Sequence, residues 1–182
     1  MRRAVLVLVL SLVLSSTNSE PASSLDLEGT AWARAAERHD IDDARLLYAI
    51  ALAESGRRTA PGLMQPWPWT LHVPGRGALF FDSHEQLLAE LRGKRPDDRI
   101  DVGPMQVNTG FHMDKVASMD ALSDFETNLD VGARVLRDCL DRHHDLMAGI
   151  GCYHSNTRWR AERYARTVLA FLEGLRSLGE PR

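Results

Sequence analysis

The run Leu46-Leu47-Tyr48-Ala49-Ile50-Ala51-Leu52-Ala53-Glu54-Ser55-Gly56 constrains this chain more than any other stretch. Asp42 and Asp43 stand where carboxylates suit a helix N-terminus, and Gly56 stands where a helix stops. Ala44, Leu47, Ala51 and Glu54/Ser55 recur at three- and four-residue steps and so share one face. That face is apolar until its last position, where it presents a carboxylate. An ionised carboxylate against an apolar wall is costly. A carboxyl held there can give and take a proton at working pH. Alternatively, Glu54 ends the helix and turns into water, as most glutamates do.

The remaining sequence supplies a body to wrap that helix. With 182 residues, 44% hydrophobic and 26% charged, the chain fits one globular domain with a core. A formal charge of -3 offers no footprint for nucleic acid. Met1-Arg2-Arg3 and the apolar run Ala4–Leu14 read as a signal peptide, too short to span a bilayer. Residues 1–22 are assigned to it and 23–182 to the domain, with cleavage between Ser16 and Ser24. No Cys follows the apolar run, so no lipid anchor is expected, and an exported, periplasmic protein is. In an oxidising compartment Cys139 and Cys152 can pair as a disulfide or stay as two buried thiols. The seven His show no ligand spacing, so no metal or other cofactor is expected.

In chain order, Leu27–Arg38 reads as a first helix and Arg57–Gly62 as a loop. An insert over about 63–100 holds two β-favouring runs, around Pro66–Val73 and Ala78–Phe81, joined by a Gly-rich turn. This is one small hairpin. Trp67 and Trp69 either pack under it or offer flat faces to sugar rings. Ser83-His84-Glu85-Gln86 resembles a capping box ahead of a short helix, and Lys94–Arg99 is a charged loop. Asp101–Asn108 is a tight turn carrying the amides of Gln106 and Asn108. Thr127 reads as the cap of a long helix, followed by Leu146–Tyr153 and by a last helix capped by Asn156 or Thr157. Its stripe is Tyr164, Val168, Phe171, Leu172 and Leu175. The tally is mainly α, mostly helix with one hairpin, an α+β composition.

Four segments in this order carry a resemblance: Glu54-Ser55, Gly103-Pro104-Met105-Gln106-Val107-Asn108, Asn128-Leu129 with Gly132 and Leu136, and Cys152-Tyr153-His154-Ser155. Together the chain resembles the soluble lytic transglycosylases, spanning roughly residues 27–175. The Cys pair and the insert look most like the small members attached to conjugation and type IV secretion systems. The resemblance implies a lysozyme-like fold and non-hydrolytic cleavage of the β-1,4 bond between N-acetylmuramic acid and N-acetylglucosamine in peptidoglycan. The muramyl 6-hydroxyl attacks its own anomeric carbon, leaving a 1,6-anhydro end. It implies Glu54 as the acid–base, Ser55 beside the N-acetyl region or Glu54, and Gln106 with the Met105 backbone along the cleft. Tyr153 would hydrogen-bond near Glu54. Asn108, His154 and Trp69 join these as substrate-binding candidates. The chain departs from the family pattern at Pro104, usually Leu, and at His154, usually Asn. An ordinary glycosidase needs a second carboxyl. Asp82, Asp98 and Asp101 are the candidates for that rival chemistry, and a non-catalytic wall-binding module is the other rival. The expected partners are glycan strands and components of a secretion or conjugation apparatus.

Overall fold

The structure, a computed structural model, describes residues 25–178. The expected signal peptide lies outside the described residues. Helices α1 (Ala31–Arg38) and α2 (Ala44–Ser55) are followed by a hairpin of β1 (Gly56–Ala60) and β2 (Leu63–Pro66). Strands β3 (Thr70–Val73) and β4 (Gly77–Phe80) precede α3 (His84–Leu91). Then come β5 (Asp101–Val102), β6 (Val107–Asn108), and the short helices α4 (Thr109–His112) and α5 (Met119–Leu122). Helices α6 (Phe125–Arg142), α7 (Leu146–His154) and α8 (Arg158–Ser177) complete the body. The class is mainly α with some β.

α2 is the hub. Leu47, Ala49, Ile50 and Ala51 have no exposure, and α1, β2 and α8 pack around it. Each buried Leu or Ile contributes about 1.5–3 kcal/mol, which makes enclosure of this helix a principal source of stability. The Asp43 side chain accepts from the Arg45 amide at 3.0 Å, supplying the expected cap. On α8, Tyr164, Val168 and Leu172 are buried, while Phe171 and Leu175 pack at the margin. Cys139 on α6 and Cys152 on α7 form a disulfide, with Cα atoms 5.7 Å apart.

Local readings needed correction. α1 starts at Ala31 rather than Leu27, because Gly29 adopts φ +68° and Thr30 caps the helix. Arg57–Gly62 is not a loop: Arg57 pairs with Gln65 and Arg58 with Met64 in the first hairpin. Most of its residues are exposed on both faces, so no period-two pattern marks it. The single expected hairpin, β3–β4, has Leu71 opposite Leu79, but it belongs to a four-stranded sheet ordered β4-β3-β5-β6. Two-residue strands such as β5 and β6 are too short to announce themselves by alternation. Asp124, not Thr127, caps α6, its carboxylate accepting from the Thr127 amide at 2.9 Å. Ser83 caps α3 as expected, yet Gln86 reaches the Asp82 amide instead of closing the box on Ser83. Thr157 precedes α8 without a side-chain cap bond. The loop before Arg99 contains one 3-10 turn, Pro96–Asp98.

Candidate active site

The last turn of α2 points Glu54 into a cleft of about 240 Å³ lined by Asp101, Gln106, Asn108, Phe111, His112, Tyr153 and His154. The Glu54 side chain is 14% exposed, reachable by a ligand yet largely withdrawn from water. One turn of chain, Gly103 to Gln106, forms the opposite wall, and three elements hold it. From α2, Ser55 Oγ lies 2.8 Å from the Pro104 carbonyl and 3.0 Å from that of Ala51, where it donates. From α6, the Asn128 carbonyl accepts from the Met105 amide at 2.9 Å. The Asn128 amide group donates to the Val102 and Leu122 carbonyls at 2.8 and 3.0 Å. From α7, the Tyr153 hydroxyl donates to the Met105 carbonyl at 2.7 Å.

Two glycines allow this closeness. Gly103 has φ +77°, and a Cβ there would meet Asn128 at 2.5 Å. A Cβ on Gly132 would meet the Met105 side chain at 2.7 Å. The Asn128–Gly132 segment therefore acts through the turn, without touching the cleft. Gln106 takes φ +46°, an uncommon conformation for a side-chain-bearing residue and a mark of imposed backbone geometry. Its amide donates to the Gly103 carbonyl at 2.8 Å.

The expected site residues thus divide. Glu54, Gln106, Asn108, Tyr153 and His154 meet in the cleft. Ser55 and Met105 are 1% and 0% exposed, so they position the walls and do not touch a ligand by their side chains. Trp69 lies outside the cleft lining, packed against the core and edge-on to Trp67 at 5.9 Å. Among the rival carboxyls, Asp101 faces the cleft, whereas the Asp82 side chain is 80% exposed and Asp98 accepts from the Arg95 amide.

The electrostatics centre on Glu54. His154 Nδ1 lies 3.5 Å from Glu54 Oε1, and that contact raises the imidazole above its usual 6.5 despite partial burial. The His154 ring stacks on Tyr164, with centroids 4.4 Å apart and planes 4° from parallel. Burial, reinforced by the Glu54 charge, pushes the Tyr153 and Tyr164 phenols well above 10. Both therefore keep their protons near neutral pH, and that of Tyr153 is the one donated to Met105. Burial raises Asp101 as well, opposed by the bonds it accepts from Asn108 at 2.7 Å and from His72 at 3.1 Å.

Tyr164 belongs to the expected core stripe, yet its buried hydroxyl has no hydrogen-bond partner of good geometry among the described residues and faces the Glu54 carboxyl. The available signal was a phenol in an otherwise hydrocarbon stripe, since buried tyrosine hydroxyls usually find partners. Phe111 and His112 were missed because α4 is too short to show a face. Among the described residues, no group of three or more His, Cys, Asp or Glu could hold a metal ion. A roomier hollow of about 410 Å³ beside Cys152 contains Glu162, which is paired to Arg158 and Arg166, and it does not include Glu54. The chemistry therefore points to the smaller cleft.

No family model matches the chain, and no solved structure matches it. Over 59 residues it is 41% identical to the S-ribosylhomocysteine lyase of Listeria monocytogenes serotype 4a (strain HCC23). That stretch is 32% of this chain and 36% of the lyase, so this chain is similar to an enzyme over little more than a third of that enzyme's length.

Proposed function

We propose that the chain is a peptidoglycan lytic transglycosylase acting in the periplasm, opening the wall locally for a secretion or conjugation apparatus. The observation that carries this is the withdrawn Glu54 carboxyl at the end of an apolar helix, facing a cleft walled by Gln106 and Tyr153. If the muramyl 6-hydroxyl supplies the nucleophile, one carboxyl suffices. Glu54 protonates the glycosidic oxygen as the bond to the anomeric carbon breaks, then accepts the proton of the attacking 6-hydroxyl. Its charge is returned to the starting state and no water is consumed. Asp101 supports this economy, because Asn108 and His72 already engage both its oxygens.

A second reading rests on the same Asp101. It shares the cleft with Glu54, and a hydrolase of the same bond would use it as the second acid. Mass spectrometry of purified peptidoglycan digested by the mature protein separates the readings. Anhydro ends are expected; reducing ends mean hydrolysis, and no released muropeptide means a wall-binding module. Glu54→Gln should lower turnover by about 10²–10⁴-fold while the variant remains folded, since the amide cannot shuttle the proton. Near-normal turnover by that variant removes Glu54 from the mechanism.

A further inference from the structure

His154 has two sides. One faces the Glu54 cleft, and the other lines a second groove of about 410 Å³ with Ala53, Trp159, Arg160, Arg163, Tyr164 and Thr167. The two grooves thus adjoin at one imidazole ring. The charge on this second groove is not balanced from within. Glu162 takes the guanidinium groups of Arg158 and Arg166 at 2.8 and 3.3 Å. Arg160 and Arg163, three residues apart on α8, have no carboxylate within ion-pair distance among the described residues. Trp159 is 61% exposed, and the Arg160 guanidinium lies over its ring at 5.2 Å. An exposed indole beside two guanidinium groups that lack a carboxylate partner among the described residues suits a ligand with carboxylates on a partly apolar scaffold.

We propose that this groove binds the carboxylate-bearing peptide stem carried by the muramyl residue next to the bond being broken. The proposal rests on the peptidoglycan reading above and names the part of that polymer the second groove takes. The stem leaves the sugar at the lactyl group. A glycan lying over Glu54 would send it across His154 toward Arg160 and Arg163. Guanidinium forks pair well with carboxylates, and the part of the exposed indole that Arg160 leaves open covers the alkyl part of the stem. The protein then selects stem-bearing glycan over denuded glycan.

Calorimetry on the full mature protein tests this with two probes, a disaccharide-tripeptide with free carboxylates and the same disaccharide without peptide. The wild type should bind the first about tenfold more tightly at low salt, with the preference shrinking as ionic strength rises. The double variant Arg160→Gln/Arg163→Gln replaces two exposed side chains, so its circular dichroism should match wild type. It should bind both probes alike. On polymer, it should lose turnover on stem-bearing glycan and keep it on amidase-stripped glycan. Equal wild-type affinity for the two probes, or an undiminished preference in the double variant, overturns the inference. If the wild type prefers the stem-bearing probe yet releases no product from glycan, the groove stands and the transglycosylase reading falls. If it cleaves both glycans equally and binds both probes equally, the transglycosylase reading stands and the groove assignment falls.

Discussion

Asn128→Ala tests whether the Met105 turn is held as described. The wild-type amide is completely buried and makes hydrogen bonds to the Met105 amide and to the Val102 and Leu122 carbonyls. Alanine removes all of them at once at a position with no solvent exposure. A buried polar group without a partner costs about 1–3 kcal/mol. The Met105 N–H loses the one acceptor it has here, whereas the two carbonyls each keep a second lone pair. Summing toward the lower end for the carbonyls gives a destabilisation of about 3–6 kcal/mol. Against a typical total of about 5–15 kcal/mol, that is a large fraction. Urea unfolding followed by far-ultraviolet circular dichroism, with m unchanged, would measure it. Asn128→Asp should be equally damaging, because its carboxylate would face two carbonyl oxygens. A loss below about 1 kcal/mol for Asn128→Ala would refute the three-bond clamp, since even one orphaned group costs that much.

Other expectations concern the pair at Glu54, the disulfide and the tryptophans. Since Glu54 raises His154, the protonated ring stabilises the fold fully below the unfolded value near 6.5. That contribution is lost as pH rises through the higher folded value; His154→Asn should abolish this step in a plot of Tm against pH. Its persistence in the variant would assign the step to another group. Reducing the Cys139–Cys152 bond, or replacing both residues with Ser, should cost about 3 kcal/mol for so short a loop, without changing low-temperature turnover. Trp69→Ala should lower Tm by the equivalent of about 2–4 kcal/mol, because Trp69 packs on the core, and leave low-temperature glycan turnover intact. A turnover loss with unchanged Tm would restore Trp69 to the substrate surface.

The helical body was legible because its signals are local and periodic. The α2 run, the α6 inner face through Leu129, Ala133 and Leu136, and the Tyr164–Val168–Leu172 stripe all repeat at helical spacing. The convergence of Glu54, Gln106, Asn108, Tyr153 and His154 followed from ordered motifs, not from any spacing that could be measured along the chain. What escaped was set by backbone pairing and by long-range closure. The β1–β2 hairpin is wet on both faces, so nothing in its side chains alternates. The clamp role of Asn128 depends on the Gly103 backbone approaching it, which only the folded chain reveals. The resemblance puts Ser55 beside the N-acetyl region or Glu54; a helix turns successive side chains apart, and Ser55 is buried. Tyr164 escaped for the converse reason, since its ring belongs to the core while its hydroxyl faces the site.

The ties that hold the turn at Met105 span long stretches of the chain. They run to Ser55 across 49 positions, to Asn128 across 23 and to Tyr153 across 48. Each tie closes a long segment of chain before it yields any stability, so the wall of the cleft is a late arrival in folding. Until α2, α6 and α7 have all docked, Glu54 is a carboxylate on a loose chain with nothing opposite it. The cleft is therefore all-or-none with the globule, and the Met105 amide should exchange its hydrogen only as fast as the whole domain opens.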